Sequence, residues 1–296
     1  MSEAECDRQR FLTGLIGSGI LASRSPWLHE QEAQAQGISL LYTMFDFADR
    51  GWEEDYLPRL LQTLQDEGYA GVNVTYPFKQ AIMPLLDEIS DEAAAIGAVN
   101  TVAFRDGRSI GHNTDMLGFT EGMRQGLPGV AKTRVLLLGC GGAGAAVAHG
   151  LLAKLNVGTL VLHDIDSERA RILTCKLVEH YGVDRAIQAD NLLEKAGSCD
   201  GIVNASPVGM SKFPGLPLPI SAIQRRHWVA DIVYFPLETE LLREARRIGC
   251  ATLDGSRMVV HQAAEAFRIM TGRDADAERM MRSFARFTDT HPQAVA

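Results

Sequence analysis

Apolar residues in the first part of the chain fall into short blocks separated by amphipathic stretches, and Gly, Ser or Pro marks most boundaries. Short apolar blocks are typical of buried strands, and apolar positions three or four residues apart are typical of helices. The pattern predicts strands at 11–16, 40–47, 71–75 and 99–104, and helices at 27–36, 52–67, from 77 onward and 114–125. Ser25 and Pro26 are the expected cap and first-turn residues of the helix at 27–36. Alternating strands and helices predict a mostly parallel sheet covered by helices.

A second alternating series begins after the loop at residues 126–129, which is the clearest boundary in the chain. It predicts strands at 135–138, 159–163, 202–204 and 229–233, and helices at 143–154, 167–181, 238–248 and 258–270. The prediction is therefore an α/β protein of two domains. The first covers residues 1–115 and is completed by C-terminal helices at about 258–290, and the second covers residues 116–257.

The composition limits the classes of partner and the cell compartment. A formal net charge of −8 argues against nucleic acid or an acidic membrane surface as the main partner, and it leaves a small anionic ligand open. The five cysteines are scattered without a CxxC or Cys/His cluster, so we expect reduced thiols, no disulfide framework and no metal site. The N-terminal segment MSEAECDRQR has no apolar core, which argues against a signal peptide, and no apolar run approaches the roughly 20 residues of a spanning helix. We expect a cytoplasmic protein that is a monomer or a homodimer.

A glycine-rich turn follows the strand at 135–138 and runs directly into a helix. It contains Gly139, Gly141, Gly142, Ala143 and Gly144 in a GxGxxG pattern, with an acidic residue at the end of the next strand. In dinucleotide-binding domains the first glycine permits the tight turn, the second lets the backbone approach the pyrophosphate, and the third lets the helix pack closely. The helix N-terminus offers free N–H groups to the phosphates. The alternative is a tight turn without a ligand, and the four glycines together favour a Rossmann-type dinucleotide-binding domain.

Asp164 ends the strand that follows this helix, where a carboxylate can accept hydrogen bonds from the hydroxyls of an adenosine ribose. The same charge would repel the 2′-phosphate of NADP, so NAD is the expected cofactor and NADP the less favoured one. Arg169 lies five positions further on. It could stack on the adenine or reach a phosphate, and it could equally be a solvated helix residue, so both interpretations stay open.

Four short polar stretches in the first domain lie where a simple fold needs none. They are residues 23–26 (SRSP), 73–79 (NVTYPFK), 97–101 (GAVNT) and 111–115 (GHNTD). Together with the glycine-rich turn, these stretches resemble the shikimate dehydrogenase family, whose series N-V-T-x-P-F-K, G-A-x-N-T, G-x-N-T-D and G-x-G-G-A is matched in order and near-ideal spacing. Residues 204–210, 231–236 and 255–262 also look like that family, so the resemblance covers nearly the whole chain.

The resemblance implies an N-terminal α/β substrate domain and a Rossmann-type cofactor domain with a cleft between them. It also implies oxidation of shikimate to 3-dehydroshikimate by hydride transfer to NAD, with Lys79 and Asp115 as the catalytic pair. Oxidising a secondary alcohol needs a hydride acceptor and a group that takes the hydroxyl proton. A partly buried lysine can act as a base near neutral pH because burial disfavours its charged form. Asp115 would hydrogen-bond the hydroxyl or orient the Lys79 ammonium. Taken singly, the two residues fit an exposed lysine and a helix-capping aspartate.

The resemblance assigns further residues to the substrate and the cofactor. Ser23 and Ser25 would bind the carboxylate of a hydroxylated cyclohexene or cyclohexane acid, and Asn100 would hold a ring hydroxyl. Their alternative is the role of caps and turn residues. The other substrate-binding candidates are Thr75, Gln262 and Tyr234. The cofactor-binding candidates beyond the glycine-rich turn are Asp164, Arg169, Asn204, Ser206, Val233, Gly255 and Met258, and a core position is an equal alternative for the methionine.

The chain departs from the commonest family pattern, G-x-P-x-x-H-S-x-S-P, because Gly19 replaces the proline and Ala22 the histidine. These changes, Asp164 and the stretch PLETELL at 236–242 resemble the NAD-linked quinate/shikimate dehydrogenase branch. Some members of that branch carry threonine at the position of Ser25 and some oxidise quinate, so Ser25 favours shikimate. A quinate or aminoshikimate dehydrogenase is the alternative. A non-catalytic shikimate- or quinate-binding module is a second alternative, against which the presence of both Lys79 and Asp115 argues.

Overall fold

The computed structural model describes residues 10–290, with side chains up to residue 287. The described chain divides into two compact units. Unit 1 comprises residues 10–114 and 262–290, and unit 2 comprises residues 115–261. Residues 1–9 of the segment expected not to be a signal peptide lie outside the described residues. This division is a structural one, and the limits of the substrate and cofactor domains at residues 115 and about 258 stay predictions.

Strands and helices alternate along most of both units. The strands are β1 (Arg10–Gly17), β2 (Ser39–Asp46), β3 (Gly71–Val74), β4 (Glu88–Ile89), β5 (Thr101–Arg105), β6 (Arg108–His112), β7 (Arg134–Leu138), β8 (Thr159–His163), β9 (Ala186–Gln188), β10 (Gly201–Asn204), β11 (Trp228–Asp231) and β12 (Ala251–Leu253). The α-helices are α1 (Ser25–Ala35), α2 (Phe47–Arg50), α3 (Leu57–Asp66), α4 (Phe78–Ala81), α5 (Asp91–Ile96), α6 (Asp115–Gly126), α7 (Gly142–His149), α8 (Ser167–Tyr181), α9 (Leu192–Gly197), α10 (Glu240–Ile248), α11 (Ser256–Thr271) and α12 (Ala277–Thr290).

The sheet of unit 1 is mixed, with the strand order β2-β1-β3-β5-β6-β4. β1 pairs in parallel with β2 and β3, whereas β5 pairs antiparallel with both β3 and β6. Five of its six strands therefore run in the same direction and β5 alone is antiparallel to its neighbours, so the predicted mostly parallel sheet is confirmed and the reversed β5 is the departure from it. The turn at Asp106 and Gly107, whose φ angles are 51° and 75°, closes a two-residue hairpin and makes β6 run back along β5.

Two helix starts also differ from the prediction. The helix predicted at 52–67 begins at Leu57, after a 3₁₀ turn at Glu54–Tyr56, and carries its proline in the first turn. Ser25 is the first residue of α1 rather than its cap, and Arg24 occupies the cap position. The hydroxyl of Ser23 accepts the N–H of Ser25 at 3.3 Å, so the local hydroxyl that satisfies this helix start is Ser23. The predicted cap role of Ser25 is therefore wrong.

The sheet of unit 2 is parallel throughout, with the order β12-β11-β10-β7-β8-β9. Its strands are buried, and Leu136, Val161, Ile202 and Val229 are completely inaccessible. The strand order reverses between β7 and β10, and ligands of such sheets bind at the carboxyl edge beside this switch. β9 and β12 were not predicted, because three residues at the sheet edges are too short to show a hydrophobic pattern.

The core of unit 1 lies under the strands that carry the polar stretches. Ile16, Val72, Phe78 and Val102 are among its buried members. The C-terminal helix α12 is held to α1 by Glu32, whose carboxylate accepts a hydrogen bond from the guanidinium of Arg279 at 2.8 Å. No helix within residues 10–290 is long and apolar enough to cross a membrane.

Candidate active site

The glycine-rich turn of unit 2 leaves β7 and enters α7 at the carboxyl edge of the sheet. Gly139 has a φ of +96°, and its N–H donates to the carbonyl of His163 at 2.8 Å. A side chain at Gly139 would come within 2.6 Å of the backbone nitrogen of Ser206. A side chain at Gly144 would overlap the carbonyl of Gly139. The turn is thus closed tightly against the ends of β8 and β10.

Gly141 differs from its neighbours because the space beside it is open. It occupies the cap position of α7 with an extended backbone and without a side-chain cap, and a Cβ there would meet no atom within 4 Å. Gly142 and Ala143 form the first positions of the helix behind it. The first N–H groups of a helix lack intrahelical acceptors and carry partial positive charge. An open, uncapped helix start of this kind fits the pyrophosphate of a dinucleotide.

Asp164 connects the glycine-rich turn to the loop after β8. Its Oδ2 accepts the N–H of Cys140 at 2.7 Å, and its Oδ1 accepts the N–H of Asp166 at 2.9 Å. Burial and the nearby Asp164 charge raise the pKa of the Cys140 thiol to about 12, so this cysteine stays protonated and unreactive. Arg169 is exposed and pairs with Asp166 at 3.3 Å. Its contact with adenine or phosphate stays a prediction.

A buried carboxylate organises the loop after β10. Asp231, with 2% of its surface exposed, accepts hydrogen bonds from the Thr239 hydroxyl at 2.7 Å, the Asn204 amide at 2.9 Å and the Val233 N–H at 3.0 Å. Oδ1 of Asn204 accepts the hydroxyl of Ser206 at 2.6 Å. Burial raises the pKa of Asp231 to about 6, although the three hydrogen bonds oppose this shift. Three predicted cofactor residues therefore share one network.

The remaining candidates of unit 2 lie after β11 and at the start of α11. Gly255 faces the carbonyl of Ile232, which a Cβ would approach to 2.5 Å. Met258 has 8% of its surface exposed, which a core methionine also shows, so its packing on the nicotinamide stays a prediction. Tyr234 is half-buried, and its contact with the substrate stays a prediction.

A chain of hydrogen bonds links polar side chains from separate strands of unit 1. The Tyr42 hydroxyl donates to Oδ1 of Asn73 at 2.8 Å, the Asn73 amide donates to the Thr101 hydroxyl at 3.0 Å, and that hydroxyl donates to Oδ1 of Asn100 at 3.1 Å. The Asn100 amide donates to Oε1 of Gln262 at 3.3 Å. Two predicted substrate residues, Asn100 and Gln262, are thus in direct contact although 162 positions separate them.

Lys79 and Thr75 lie on the segment that follows β3. The N–H of Thr75 donates to the carbonyl of Ile16 at 2.9 Å, which continues the β1–β3 pairing. The N–H of Val99 donates to the carbonyl of Lys79 at 2.8 Å. Lys79 itself is half-buried on the short helix α4. This backbone bond joins the helix that carries the candidate base to the residue that precedes Asn100.

Asp115 opens α6 and has 2% of its surface exposed. It follows Thr114, whose N–H donates to Oδ1 of Asn100 at 2.8 Å and whose hydroxyl accepts from the Asn100 amide at 3.0 Å. Lys79 belongs to unit 1, and Asp115 is the first residue of unit 2. The chemical pairing of Lys79 with Asp115 stays a prediction.

The loop between β1 and α1 carries Ser23, and its hydroxyl oxygen lies 3.2 Å from that of Ser25, the first residue of α1. Asp46, at the end of β2, accepts the N–H of Gly19 at 2.8 Å and the N–H of Ile20 at 2.7 Å. Burial favours a raised pKa for Asp46, but these and two further backbone hydrogen bonds hold that pKa below its usual range. Asp46 is not among the site residues predicted from the sequence. A single carboxylate that ends an otherwise apolar strand was the available signal.

Two segments of the sequence match the models of two domains that belong to one protein family. Residues 15–102 match the "Shikimate dehydrogenase substrate binding domain", and residues 255–283 match the "Shikimate 5'-dehydrogenase C-terminal domain". Within residues 10–290, no three His, Cys, Asp or Glu side chains are grouped as metal ligands.

Similar proteins match the chain over nearly its full length. The shikimate dehydrogenase (NADP(+)) of Streptomyces avermitilis is 48% identical over 95% of this chain and 97% of its own. The quinate/shikimate dehydrogenase (NAD(+)) of Corynebacterium efficiens is 44% identical over 92% of this chain and 97% of its own. The structure of quinate dehydrogenase from Corynebacterium glutamicum in complex with NAD superposes with a TM-score of 0.87, at 41% identity over 94% of this chain and all of that one.

The predicted fold class is confirmed: the protein has an N-terminal α/β substrate domain and a Rossmann-type dinucleotide-binding domain. Because relatives of this similarity cover nearly all of its length, the chain belongs to the shikimate dehydrogenase family.

Proposed function

We propose that this protein oxidises shikimate to 3-dehydroshikimate and reduces NAD. The observation that carries the proposal is the buried hydrogen-bonded group around Asn100, which connects to Gln262 on one side and to Thr101 on the other. Amide and hydroxyl groups held rigidly in this way suit a small ligand that presents several hydroxyls, because each ligand hydroxyl needs a partner when it leaves water.

In this proposal each candidate residue has one task. Lys79 takes the proton of the C3 hydroxyl as the carbonyl forms, and Asp115 orients the hydroxyl and the resulting ammonium. The cofactor supplies the hydride acceptor when bound. Ser23 and Ser25 bind the substrate carboxylate through their hydroxyls. The other substrate contacts come from Thr75, Asn100, Gln262 and Tyr234.

We infer NAD rather than NADP from Asp164. The relatives include an NADP-dependent enzyme and an NAD-dependent one at similar identity, so similarity alone does not choose between them. Asp164 lies beside the glycine-rich turn with its carboxylate fixed by two backbone N–H groups. The neighbouring Arg169 is already paired with Asp166. A 2′-phosphate would therefore meet a fixed negative charge, whereas the ribose hydroxyls of NAD would meet an acceptor.

Quinate is the second candidate substrate. The similarity to the quinate dehydrogenase structure favours it, and Ser25 favours shikimate. The partner is in either case a small cyclic hydroxy acid. The net charge of −8 makes nucleic acid an unsuitable partner. The free cysteines Cys140, Cys175, Cys199 and Cys250 fit a reducing cytoplasm, and a monomer or homodimer is our expectation for the assembly.

The test is the initial rate of NADH formation with shikimate or quinate as the sole substrate, repeated with NADP. We expect shikimate with NAD to give the highest kcat/KM. Faster oxidation of quinate would make the protein a quinate dehydrogenase and would show that Ser25 does not select the substrate. Binding of shikimate without reduction of either cofactor would identify a binding module and refute the catalytic pair.

A further inference from the structure

The loop of residues 18–24 must hold Ser23 and Ser25 in place without the proline that the commonest family pattern has at position 19. Gly19 adopts a φ of +69°, which proline cannot reach because its ring fixes φ near −65°. Its N–H, which proline would lack, donates to Oδ1 of Asp46 at 2.8 Å. The hydrogen bond between Gly19 and Asp46 therefore depends on glycine, and not proline, at position 19.

The carboxylate of Asp46 reaches the serines through a short series of bonds. Its second oxygen accepts the N–H of Ile20 at 2.7 Å, and the carbonyl of Ile20 accepts the N–H of Ser23 at 2.8 Å. The Ser23 hydroxyl accepts the N–H of Ser25 and lies 3.2 Å from its hydroxyl. The links from Asp46 to Ser23 are hydrogen bonds of ordinary length, and the two contacts between the serines are longer, at 3.3 Å and 3.2 Å. A displacement of Asp46 is therefore passed first to Ser23 and through it to Ser25.

Side-chain packing also holds the loop of residues 18–24 in place. The side chain of Ile20 is buried in a small cluster with Leu15 and Tyr42. Arg24, at the far end of the loop, has 1% of its surface exposed, and its guanidinium lies 4.9 Å from the ring centre of Phe284. The side chains of Ile20 and Arg24 thus anchor the loop, whereas Asp46 binds its backbone at Gly19 and Ile20.

We propose that Asp46 is a positioning residue for the substrate carboxylate, acting through the backbone of Gly19 and Ile20 on the hydroxyls of Ser23 and Ser25. This inference rests on the proposed function, since it assigns the two serines to the substrate. Asp46 also caps α2 by accepting the N–H of Ala48 at 3.1 Å. An experiment must therefore separate the effect on the loop from the effect on the cap.

The variant Asp46→Ser makes this separation, because serine is a good helix cap but too short to reach both loop N–H groups. Asp46→Asn is the milder second variant, since it keeps the size and one acceptor oxygen. The matched control is Asp276→Ser, which alters the aspartate that accepts the N–H of Arg279 at the start of α12 in the same unit. All three proteins are assayed with shikimate and NAD varied separately.

We expect Asp46→Ser to raise the KM for shikimate on the order of tenfold, because small misplacement of binding groups has effects of this size or larger. The KM for NAD should stay unchanged, Asp46→Asn should lie between, and Asp276→Ser should match the wild type. A shikimate KM within twofold of wild type in Asp46→Ser overturns the inference. Equal changes in both KM values, or the same change in the control, also overturn it by showing a general loss of stability.

Amide hydrogen exchange gives a readout that does not depend on turnover. The amides of Gly19, Ile20 and Ser23 should exchange faster in Asp46→Ser than in the wild type, and unchanged protection overturns the inference whatever the kinetics. A wild-type enzyme that reduces no cofactor with shikimate or quinate refutes the proposed function instead. It also removes the assignment of this loop to a substrate carboxylate.

Discussion

A methyl group at Gly141 should weaken NAD binding without weakening the fold. The Cβ of an alanine there would meet no protein atom within 4 Å, and the backbone angles, φ −77° and ψ −169°, are allowed for any residue. Replacing Gly by Ala at such a site stabilises the fold by about 0.4–1 kcal/mol, because alanine lowers the conformational entropy of the unfolded chain. Alanine is a poorer helix cap than glycine, and this offsets a similar amount. The free energy of unfolding should therefore change by less than about 1 kcal/mol. Any large effect must come from the ligand that approaches this position.

The third glycine of the turn provides the contrast. An alanine Cβ at Gly144 would overlap the carbonyl oxygen of Gly139 and lie 2.9 Å from its carbonyl carbon. Gly139 cannot withdraw easily, because its N–H is bonded to His163 and its Cα faces the backbone of Ser206. Overpacking of this kind costs about 1–3 kcal/mol or more. Gly144→Ala should therefore lower the melting temperature of the ligand-free protein by several degrees.

The assay is a thermal melt without ligand, combined with the KM for NAD from NADH formation. Gly141→Ala should keep its melting temperature and raise the KM for NAD about tenfold, equivalent to about 1.4 kcal/mol. The control is Gly197→Ala at the end of α9, where the nearest atom to a Cβ would be 3.8 Å away and no cofactor contact is expected. An unchanged KM for NAD in Gly141→Ala would refute the approach of the phosphates at this glycine.

Three further outcomes follow from the same geometry. Lys79→Ala should lower kcat about 100-fold or more, which is the usual contribution of a general base. The melting temperature should stay constant because the backbone hydrogen bond between residue 79 and Val99 survives. Near-normal turnover would contradict the role of Lys79 as the base. Asp164→Asn keeps the size of the side chain and removes its charge, so the ratio of kcat/KM for NADP to that for NAD should rise about tenfold, and an unchanged ratio would show that this charge does not select the cofactor. Asp231 has a folded pKa of about 6, above the value of about 4 in an unfolded chain, so the folded state binds more protons between these values. Its contribution to the free energy of unfolding should therefore fall as pH rises through this window, by up to about 1.4 kcal/mol per pH unit. Urea denaturation at both ends of the window should show that the free energy of unfolding falls with pH in the wild type and not in Asp231→Asn. The same pH dependence in both proteins would contradict the raised pKa of Asp231.

The hydrophobic pattern was sufficient for the class of fold and for most of unit 2. A parallel sheet buried on both faces needs nearly continuous apolar strands, and β7, β8, β10 and β11 have them. The same pattern was insufficient for unit 1, where it predicted neither β6 nor the reversed direction of β5, which the turn at Asp106 and Gly107 joins to β6. The strand after this turn, with Arg108 and His112 at its ends, lacks the apolar character that predicts a strand.

The glycine-rich turn and Asp164 were predictable as cofactor candidates because their function depends on backbone shape and on position relative to one strand, and both are local properties. The polar stretches around Lys79, Asn100 and Asp115 were predictable as a set from the family resemblance. Their physical connection was not, because the contact of Asn100 with Gln262 joins residues 162 positions apart in the sequence.

The sequence alone therefore determined the α/β class, the dinucleotide turn and the identity of the chemical groups that carry the proposed reaction. The tertiary structure alone decided which of these groups support one another. Asp46 and Gly19 are 27 positions apart, and Tyr42 and Asn73 are 31 apart, so no local pattern couples them. The first hydrogen bond forms because the parallel strands β1 and β2 bring their carboxyl ends to one edge, where the buried carboxylate of Asp46 needs partners. The second joins β2 to β3, which lie on either side of β1, so the order of strands in the sheet decides it.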